Sequence, residues 1–247
     1  MITNTADVRE GDVLESEIVI VGAGAAGIPM ALDFAEAGFS VLLLESGESD
    51  QSDDMQALYS GTVTDRALHN PPETYRQRRL GGTTAIWGGR CVPFDPIDFE
   101  QRPYVNFSGW PITSDQLTPY YQRANDWLEA GISDYDARTA LAPGTPEQIL
   151  GLESERIHTN SLERFSRPTN LFIRYKRRLE LQVGLRVVSG ANCTGIRLTE
   201  QGETVDRLYF QTMTGKRVLV KGGSKLLDCC WRLTISTPKA SETNTML

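Results

Sequence analysis

The sequence contains few of the residues that build metal centres. Its 247 residues include only two histidines and four cysteines. The cysteines form no C-x-x-C pair and none lies beside a histidine at metal-ligand spacing, so zinc and iron–sulfur sites are not expected. We therefore expect no metal site, and thiols that stay reduced, as in a reducing compartment. The four cysteines are Cys91, Cys193, Cys229 and Cys230.

The sequence also lacks the charge pattern of a nucleic-acid-binding protein. Asp and Glu outnumber Lys and Arg by 32 to 25, and no basic run is interleaved with aromatic residues. No apolar run approaches the roughly 20 residues that cross a bilayer, and the first fifteen residues lack the apolar core of a secretory signal. We therefore expect no nucleic-acid partner, no membrane span and a cytoplasmic location.

The order of strand and helix signals predicts an α/β protein. Residues 1–16 are polar and without a period, so we expect a tail there. Residues 17–21 form a continuous apolar run, typical of a buried parallel strand, and apolar residues at helical spacing then extend to Gly38. Residues 40–44 form a second apolar strand. The sequence therefore predicts a β-α-β unit, in a chain long enough for one large or two modest domains.

The rest of the chain adds helices and a predicted antiparallel meander. A surface excursion is expected at about residues 110–165, beginning with an amphipathic helix and ending before a basic helix. Turn signals join the last strands into the meander, and the family-like pattern breaks from Gly222 onward. The expected elements are helices at 114–128 and 170–181 and strands at 185–188, 194–200, 205–212 and 216–221.

A glycine motif, Gly22-x-Gly24-x-x-Gly27, lies between the first strand and the first helix. In this context the glycines allow a tight turn, let a pyrophosphate approach the backbone and let helix and strand pack closely, while the helix N-terminus donates N–H groups to the anion. Glu45, at the end of the next strand, is expected to accept hydrogen bonds from ribose hydroxyls. The same motif serves FAD and NAD. The nucleotide contacts expected here are Gly22, Ala23, Gly24, Ala26, Gly27, Glu45 and Ser46.

A second glycine cluster contains four glycines in nine positions, within Leu80–Thr84 and Trp87–Gly89. Such a cluster indicates backbone brought close to a ligand. Together with Asp95–Phe99 and Ser108–Ile112, it resembles glucose-methanol-choline (GMC) oxidoreductases, and the resemblance covers residues 17–221. It favours FAD over NAD, because an NAD-dependent dehydrogenase would leave the second cluster unexplained.

The resemblance implies a Rossmann-like FAD/NAD(P)-binding domain with an added antiparallel meander, incomplete because the family's C-terminal half is missing. Some sugar oxidases of the family attach FAD through a histidine just before the tryptophan, and Ile86 occupies that position here, so we expect FAD to bind non-covalently. The resemblance and its neighbouring positions imply FAD contacts at Arg79, Gly81, Gly82, Thr83, Trp87, Gly88 and Cys193, the last of these near the adenine.

No residue is predicted to be catalytic. The family uses a histidine near the flavin to take the alcohol proton, and neither His69 nor His158 lies in that motif. The family's catalytic half follows the part that this chain resembles. The resemblance thus implies the FAD-binding part of an enzyme that oxidises an alcohol or sugar, with this chain inactive by itself. The alternatives are a non-catalytic nucleotide-binding or interaction module, completed by a separate C-terminal polypeptide, and an NAD-dependent dehydrogenase fragment.

The segment 222–247 departs from the family, whose members continue with a strand ending in Ala-Ala-Gly-Gly. Read one base later, the codons of Cys229 and Cys230 must each encode Ala or Val, and that of Trp231 must encode Gly. We therefore interpret 222–247 as the product of a frameshift. Because a Rossmann-type sheet uses a late strand to complete its core, we also expect an exposed apolar sheet edge and low solubility.

Overall fold

The computed structural model describes residues 1–145, 159–202 and 204–228, with the backbone alone for 223–228. The chain divides into two compact units. The first is formed by residues 1–85 and the segment that starts at residue 170, and the second by residues 86–169. The first glycine cluster therefore lies in the first unit, whereas the second cluster extends across residue 85 and contributes to both units.

Strands and helices follow one another largely as the sequence predicts. In chain order the strands are β1 (Ile2–Asn4), β2 (Val13–Val21), β3 (Val41–Leu44), β4 (Arg90–Cys91), β5 (Arg164–Phe165), β6 (Leu185–Ser189), β7 (Asn192–Leu198), β8 (Val205–Gln211) and β9 (Arg217–Asp228). The helices are α1 (Gly27–Glu36), α2 (Asp53–Ala57), α3 (Pro72–Tyr75), α4 (Pro96–Phe99), α5 (Ser114–Leu128), α6 (Ala137–Ala140) and α7 (Leu171–Leu181). No helix in these ranges is long and apolar enough to cross a bilayer.

The first unit contains a seven-stranded sheet in the order β1-β6-β3-β2-β9-β8-β7. Strands β1, β6, β3, β2 and β9 are parallel neighbours, whereas β9, β8 and β7 pair antiparallel. The predicted β-α-β unit and the meander are therefore both confirmed. They are parts of one sheet, because β9 pairs with β2 on one side and with β8 on the other.

Both faces of the parallel strands are buried, which explains their continuous apolar sequences. Val19 belongs to a core cluster with Leu44, Val188, Phe210 and residues of β9. Side chains alternate along a strand, so Ile18 and Ile20 point to the opposite face from Val19. Helix α1 packs against β2, β3 and β6, and its buried residues lie outside that cluster. The helix therefore accounts for the burial of the second face.

Two expectations about the ends of the chain are wrong. Residues 1–16 are not a tail, because β1 adds to the edge of β6 and β2 begins at Val13. The last strand does not end at residue 221, because β9 continues to Asp228, with Val21 opposite Asp228. Both edges of β2 are therefore covered within the described part of the chain. The strand next to β2 on this side is β9, and the edge strands of the sheet are β1 and β7.

The second unit contains the predicted helix α5, which begins with a capping box between Thr113 and Gln116. Its short strands β4 and β5 pair antiparallel. The motifs Asp95–Phe99 and Ser108–Ile112 meet in an aromatic cluster, in which Phe94 and Trp110 have ring centroids 5.3 Å apart and Phe99 lies 6.1 Å from Trp110. These two motifs therefore contribute packing to the second unit.

Candidate functional site

The turn between β2 and α1 leaves backbone donors available for an anion. Gly22 has a φ of 101°, which favours glycine, and its N–H donates to Leu44 O at 2.7 Å. The N-cap of α1 is Ala26, which makes no side-chain capping bond. The Ile28 N–H donates to Gly24 O at 3.2 Å and Pro29 has no N–H, so the donors left for a phosphate at this end of the helix are those of Ala26 and Gly27, where the helix dipole favours an anion.

The second glycine turn packs directly against the first. The Gly81 N–H donates to Ala23 O at 2.8 Å, and a Cβ at Gly82 would lie 3.1 Å from Gly24 Cα. Both Gly81 and Gly82 have positive φ. A Cβ at Gly24 would itself meet no atom within 4 Å, so open space adjoins that residue. The first unit thus brings Gly81 and Gly82 of the second cluster next to the first glycine motif, although more than fifty positions separate them in sequence.

Glu45 is held at the centre of this arrangement. Its side chain is only 7% exposed, and Oε2 accepts from the Ala23 N–H at 2.8 Å. Its Oε1 accepts from the Gly47 N–H at 3.0 Å and from the Ser46 hydroxyl at 3.1 Å. Burial raises the pKa of Glu45, while these hydrogen bonds and the nearby charge of Arg78 oppose that rise. The carboxylate is therefore fixed in direction beside the first glycine turn.

Gly47 and Arg78 are two residues of this region that the sequence analysis missed. A Cβ at Gly47 would overlap the carbonyl oxygen of Arg78, so only glycine fits between the two backbones. The guanidinium of Arg78 lies 4.4 Å from the centre of the Tyr59 ring and donates from Nη1 to Asn192 Oδ1 at 3.3 Å. A glycine two residues after the acid at the strand end was the available signal for the close approach.

The segment that contains Cys193 lies beside the Glu45 turn. The N–H of Ala191 donates to Glu45 O at 2.9 Å, and Asn192 meets Arg78. Cys193 itself is exposed and forms no disulfide with another described residue. The structure thus brings the start of β7 to the same edge of the sheet as Glu45, at the carboxyl ends of β3 and β6.

Two other predicted residues of the first unit make protein contacts. Arg79 donates from Nη2 to Ser49 O at 2.7 Å. The hydroxyl of Thr83 accepts from the Gln77 N–H at 3.4 Å. Thr83 is adjacent to the Gly82 turn, whereas Arg79 reaches the loop that follows Glu48. Their contact with a cofactor stays a prediction.

Trp87 and Gly88 belong to the second unit, whereas the other predicted contacts belong to the first. The indole N–H of Trp87 donates to Thr169 O at 3.1 Å. A Cβ at Gly88 would meet no atom within 4 Å, whereas one at Gly89 would overlap Ser166 O. Gly89 is therefore required by packing, and the roles of Trp87 and Gly88 toward a cofactor stay predictions.

One of the two histidines, His69, lies within the described residues. His69 is exposed and its N–H donates to Asp65 O at 3.0 Å in a loop. His158 lies outside the described residues, as do Cys229, Cys230 and the segment that follows them. Among the described residues, no three His, Cys, Asp or Glu side chains are grouped as metal ligands.

The parallel sheet, the glycine turn at the carboxyl end of β2 and the acid at the end of β3 define a dinucleotide-binding α/β domain. A family model described as FAD dependent oxidoreductase matches residues 17–225. The chain therefore belongs to the FAD-dependent oxidoreductases, which use FAD as cofactor. The uncapped α1, the open space beside Gly24 and the buried Glu45 carboxylate fit the ADP half of that cofactor.

Curated relatives confirm the resemblance to GMC oxidoreductases. Oxygen-dependent choline dehydrogenase of Vibrio vulnificus (strain YJ016) is 31% identical over 133 residues, which cover 46% of this chain and 23% of the relative. An uncharacterized GMC-type oxidoreductase of Sinorhizobium fredii is 30% identical over 157 residues, which cover 58% of this chain and 29% of the relative. Paromamine 6'-oxidase of Streptomyces fradiae is 27% identical over 126 residues, covering 47% and 23%.

Solved structures share the fold at low sequence identity. A formate oxidase has a TM-score of 0.54 at 17% identity, and the match covers 88% of this chain and 45% of the oxidase. A fungal aryl-alcohol oxidase has a TM-score of 0.55 at 12% identity, covering 86% and 45%. The chain thus spans about half the length of the solved proteins it matches.

The approach of Gly47 to Arg78 leads to a stability prediction. Gly47→Ala should lower the free energy of unfolding by about 1–3 kcal/mol, because the new methyl group forces two backbones apart. Urea unfolding of the protein without FAD measures this change. Gly61→Ala is the matched control, because its Cβ would meet only Tyr59 O at 4.0 Å and its φ is not positive. Equal stability of the two variants would contradict the close approach.

The pKa shift of Glu45 predicts a pH-dependent stability. Its folded pKa is raised above 4.5, which means that ionising Glu45 is less favourable in the folded protein than in the unfolded one. The free energy of unfolding of the wild type therefore falls as the pH rises through the folded pKa. The melting temperature of Glu45→Gln minus that of the wild type, measured without FAD, should therefore become more positive as pH rises from about 4 to 7.

Glu17 provides a control of opposite sign. Hydrogen bonds from Ser40 lower the pKa of Glu17, whose Oε2 accepts from the Ser40 N–H at 2.7 Å. A lowered folded pKa adds stability above the unfolded value, so the difference for Glu17→Gln should become more negative as pH rises. A difference for Glu45→Gln that stays constant or falls with pH would refute the assignment of its shift to burial.

Proposed function

We propose that the first unit binds the ADP half of FAD and that the intact protein oxidises an alcohol or sugar by transferring a hydride to the flavin. The observation that carries the proposal is the packing of Gly82 against Gly24 beside the uncapped N-terminus of α1. This packing brings backbone without side chains to the turn where a dinucleotide pyrophosphate binds in this fold. Without a ligand of that kind, the second glycine turn has no evident need to lie there.

The start of α1, Gly24 and Glu45 each have a specific role in this proposal. The N–H groups of Ala26 and Gly27, at the start of α1, donate to the pyrophosphate, and the absence of a Cβ at Gly24 lets it approach. The Glu45 carboxylate, already oriented by Ala23 and Gly47, accepts from the ribose hydroxyls with its remaining lone pairs. Bound FAD supplies the hydride acceptor of the reaction.

The remaining predicted contacts belong to the flavin side and the adenine. We assign Thr83, Trp87 and Gly88 to the flavin side, Arg79 to the phosphate region, and Cys193 to the adenine. Binding is non-covalent in this proposal, because Ile86 offers no nucleophile for attachment. The catalytic base of the intact protein, in this proposal, lies in the part of the family that residues 17–225 do not match.

The substrate class follows the relatives. The names of two curated relatives indicate that they act on choline and on paromamine. An alcohol or sugar substrate for the intact protein, and a cytoplasmic location, remain our proposals. Either a longer form of this chain or a separate C-terminal polypeptide would supply the substrate-binding half.

Two alternatives make different predictions from the same fold. A non-catalytic nucleotide-binding module would bind ADP and FAD equally well, because it would have no use for the flavin ring. An NAD-dependent dehydrogenase would bind NAD selectively. Titration of the purified protein with FAD, ADP and NAD distinguishes the three, since FAD should bind most tightly under the leading proposal.

The FAD proposal predicts an effect of a small substitution at Gly24. Gly24→Ala should retain the stability of the protein without FAD, because the methyl group enters open space. It should weaken FAD binding on the order of tenfold or more, because the methyl group takes the place of the pyrophosphate. Flavin absorption of the complex and melting of the FAD-free protein provide the two measurements.

Gly61→Ala serves here as the control, because it is exposed and distant in sequence from both glycine turns. It should bind FAD as the wild type does. If Gly24→Ala binds FAD with unchanged affinity, the pyrophosphate does not approach Gly24. If the wild type binds no FAD, the proposed function is wrong.

We also propose that the chain changes reading frame near its end. Strand β9 extends to Asp228, and the family model matches to residue 225, which supports a change after 225 instead of at 222. Sequencing the coding DNA should reveal a one-base shift that restores Ala-Ala-Gly-Gly and a long open frame. A sequence in which no such shift exists would overturn this proposal.

A further inference from the structure

We infer that the N-terminal strand β1 positions the adenosine end of the cofactor site through the side chain of Asn4. The inference rests on the proposed function and goes beyond it, because it assigns a role to a segment that lies outside the two glycine motifs in sequence. Asn4 Nδ2 donates to Glu48 Oε1 at 2.8 Å.

Glu48 joins the acid-bearing turn to the second glycine turn. Its carbonyl oxygen accepts from the Leu80 N–H at 2.9 Å, immediately before Gly81. Its own position is three residues after Glu45, in the turn whose Gly47 N–H holds the Glu45 carboxylate. A displacement of Glu48 therefore moves both the donor that orients Glu45 and the backbone that carries Gly81.

Asn4 also fixes the other loop at this edge of the sheet. Its Nδ2 lies 3.4 Å from Ser189 Oγ, and the neighbouring Thr5 hydroxyl, which is buried, donates to Gly190 O at 3.0 Å. The following residue, Ala191, donates its N–H to Glu45 O at 2.9 Å. The end of β1 thus connects the two loops on either side of Glu45.

The geometry of Asn4 is itself constrained. Its Oδ1 accepts from the Ala6 N–H at 2.8 Å, and its own N–H donates to Asp7 Oδ2 at 3.3 Å, which together form a capping box. With Oδ1 occupied in this way, the amide NH₂ group is directed to Glu48. The segment therefore presents a pre-oriented donor to the turn, so less side-chain entropy is lost when the bond to Glu48 forms.

The test compares FAD affinity with the stability of the FAD-free protein in Asn4→Ala and Glu48→Ala. The Asn4–Glu48 bond is exposed, so its loss should have a modest effect. We expect the dissociation constants for FAD and for ADP to rise by the same factor, about three- to tenfold. The melting temperature without FAD should fall only slightly, because Asn4 caps a single short turn and no core residue changes.

Two further variants separate positioning from general destabilisation. Glu48→Gln keeps an oxygen acceptor for Asn4 and should bind FAD nearly as the wild type does. Asp7→Ala removes the other half of the capping box while leaving the Asn4 side chain in place, and should also bind normally. The double variant Asn4→Ala/Glu48→Ala should bind no more weakly than Asn4→Ala, because the Asn4–Glu48 bond is already absent in that single variant.

A measurement without cofactor separates this inference from the proposed function. Hydrogen exchange in the FAD-free protein should become faster for peptides covering residues 45–49 and 78–82 in Asn4→Ala and Glu48→Ala, and stay unchanged in Asp7→Ala. If wild-type protein binds no FAD, the proposed function fails, but the exchange result still tests whether the Asn4–Glu48 bond holds the two turns in position. Unchanged exchange, unchanged affinity or additive single effects would each overturn the inference.

Discussion

One residue, Ala23, connects the parts of the candidate site. Its N–H donates to Glu45 Oε2, and its carbonyl oxygen accepts from the Gly81 N–H. Because the residue is fully buried, neither group can be satisfied by water, and both hydrogen bonds are required. The turn after β2, the acid after β3 and the second glycine turn therefore hold one another in position before any cofactor is present.

This arrangement explains which parts of the site could be predicted. The turn at Gly22 and the acid at Glu45 follow from local patterns, since a buried strand, a glycine turn and a helix are read from neighbouring residues. The expectation that the second glycine cluster faces the same ligand came from a family resemblance, and the Gly81–Ala23 contact agrees with it. Local pattern alone offered no means of pairing the two turns.

Other features depend on partners that are distant in sequence. Strand β1 is three residues long and pairs with β6 more than 180 positions away, so its short polar sequence gave no periodic signal. Gly47 is required by a backbone approach from Arg78, and no pattern around Gly47 reports the position of a later loop. The extension of β9 beyond residue 221 was missed because its glycines and lysines interrupt an apolar run, while β2 supplies its hydrogen-bonding partner.

Strand β9 has a consequence for the order in which the chain folds. It is the neighbour of β2, although the two strands are separated by about 200 residues, and β6 likewise joins β3 across a long interval. During synthesis β2 and β3 leave the ribosome long before these partners exist, so pairing that must cross such separations is slow and the waiting strands are prone to aggregation. The unit formed by β2, α1 and β3 must therefore remain soluble, or be bound by chaperones, until β9 has been translated.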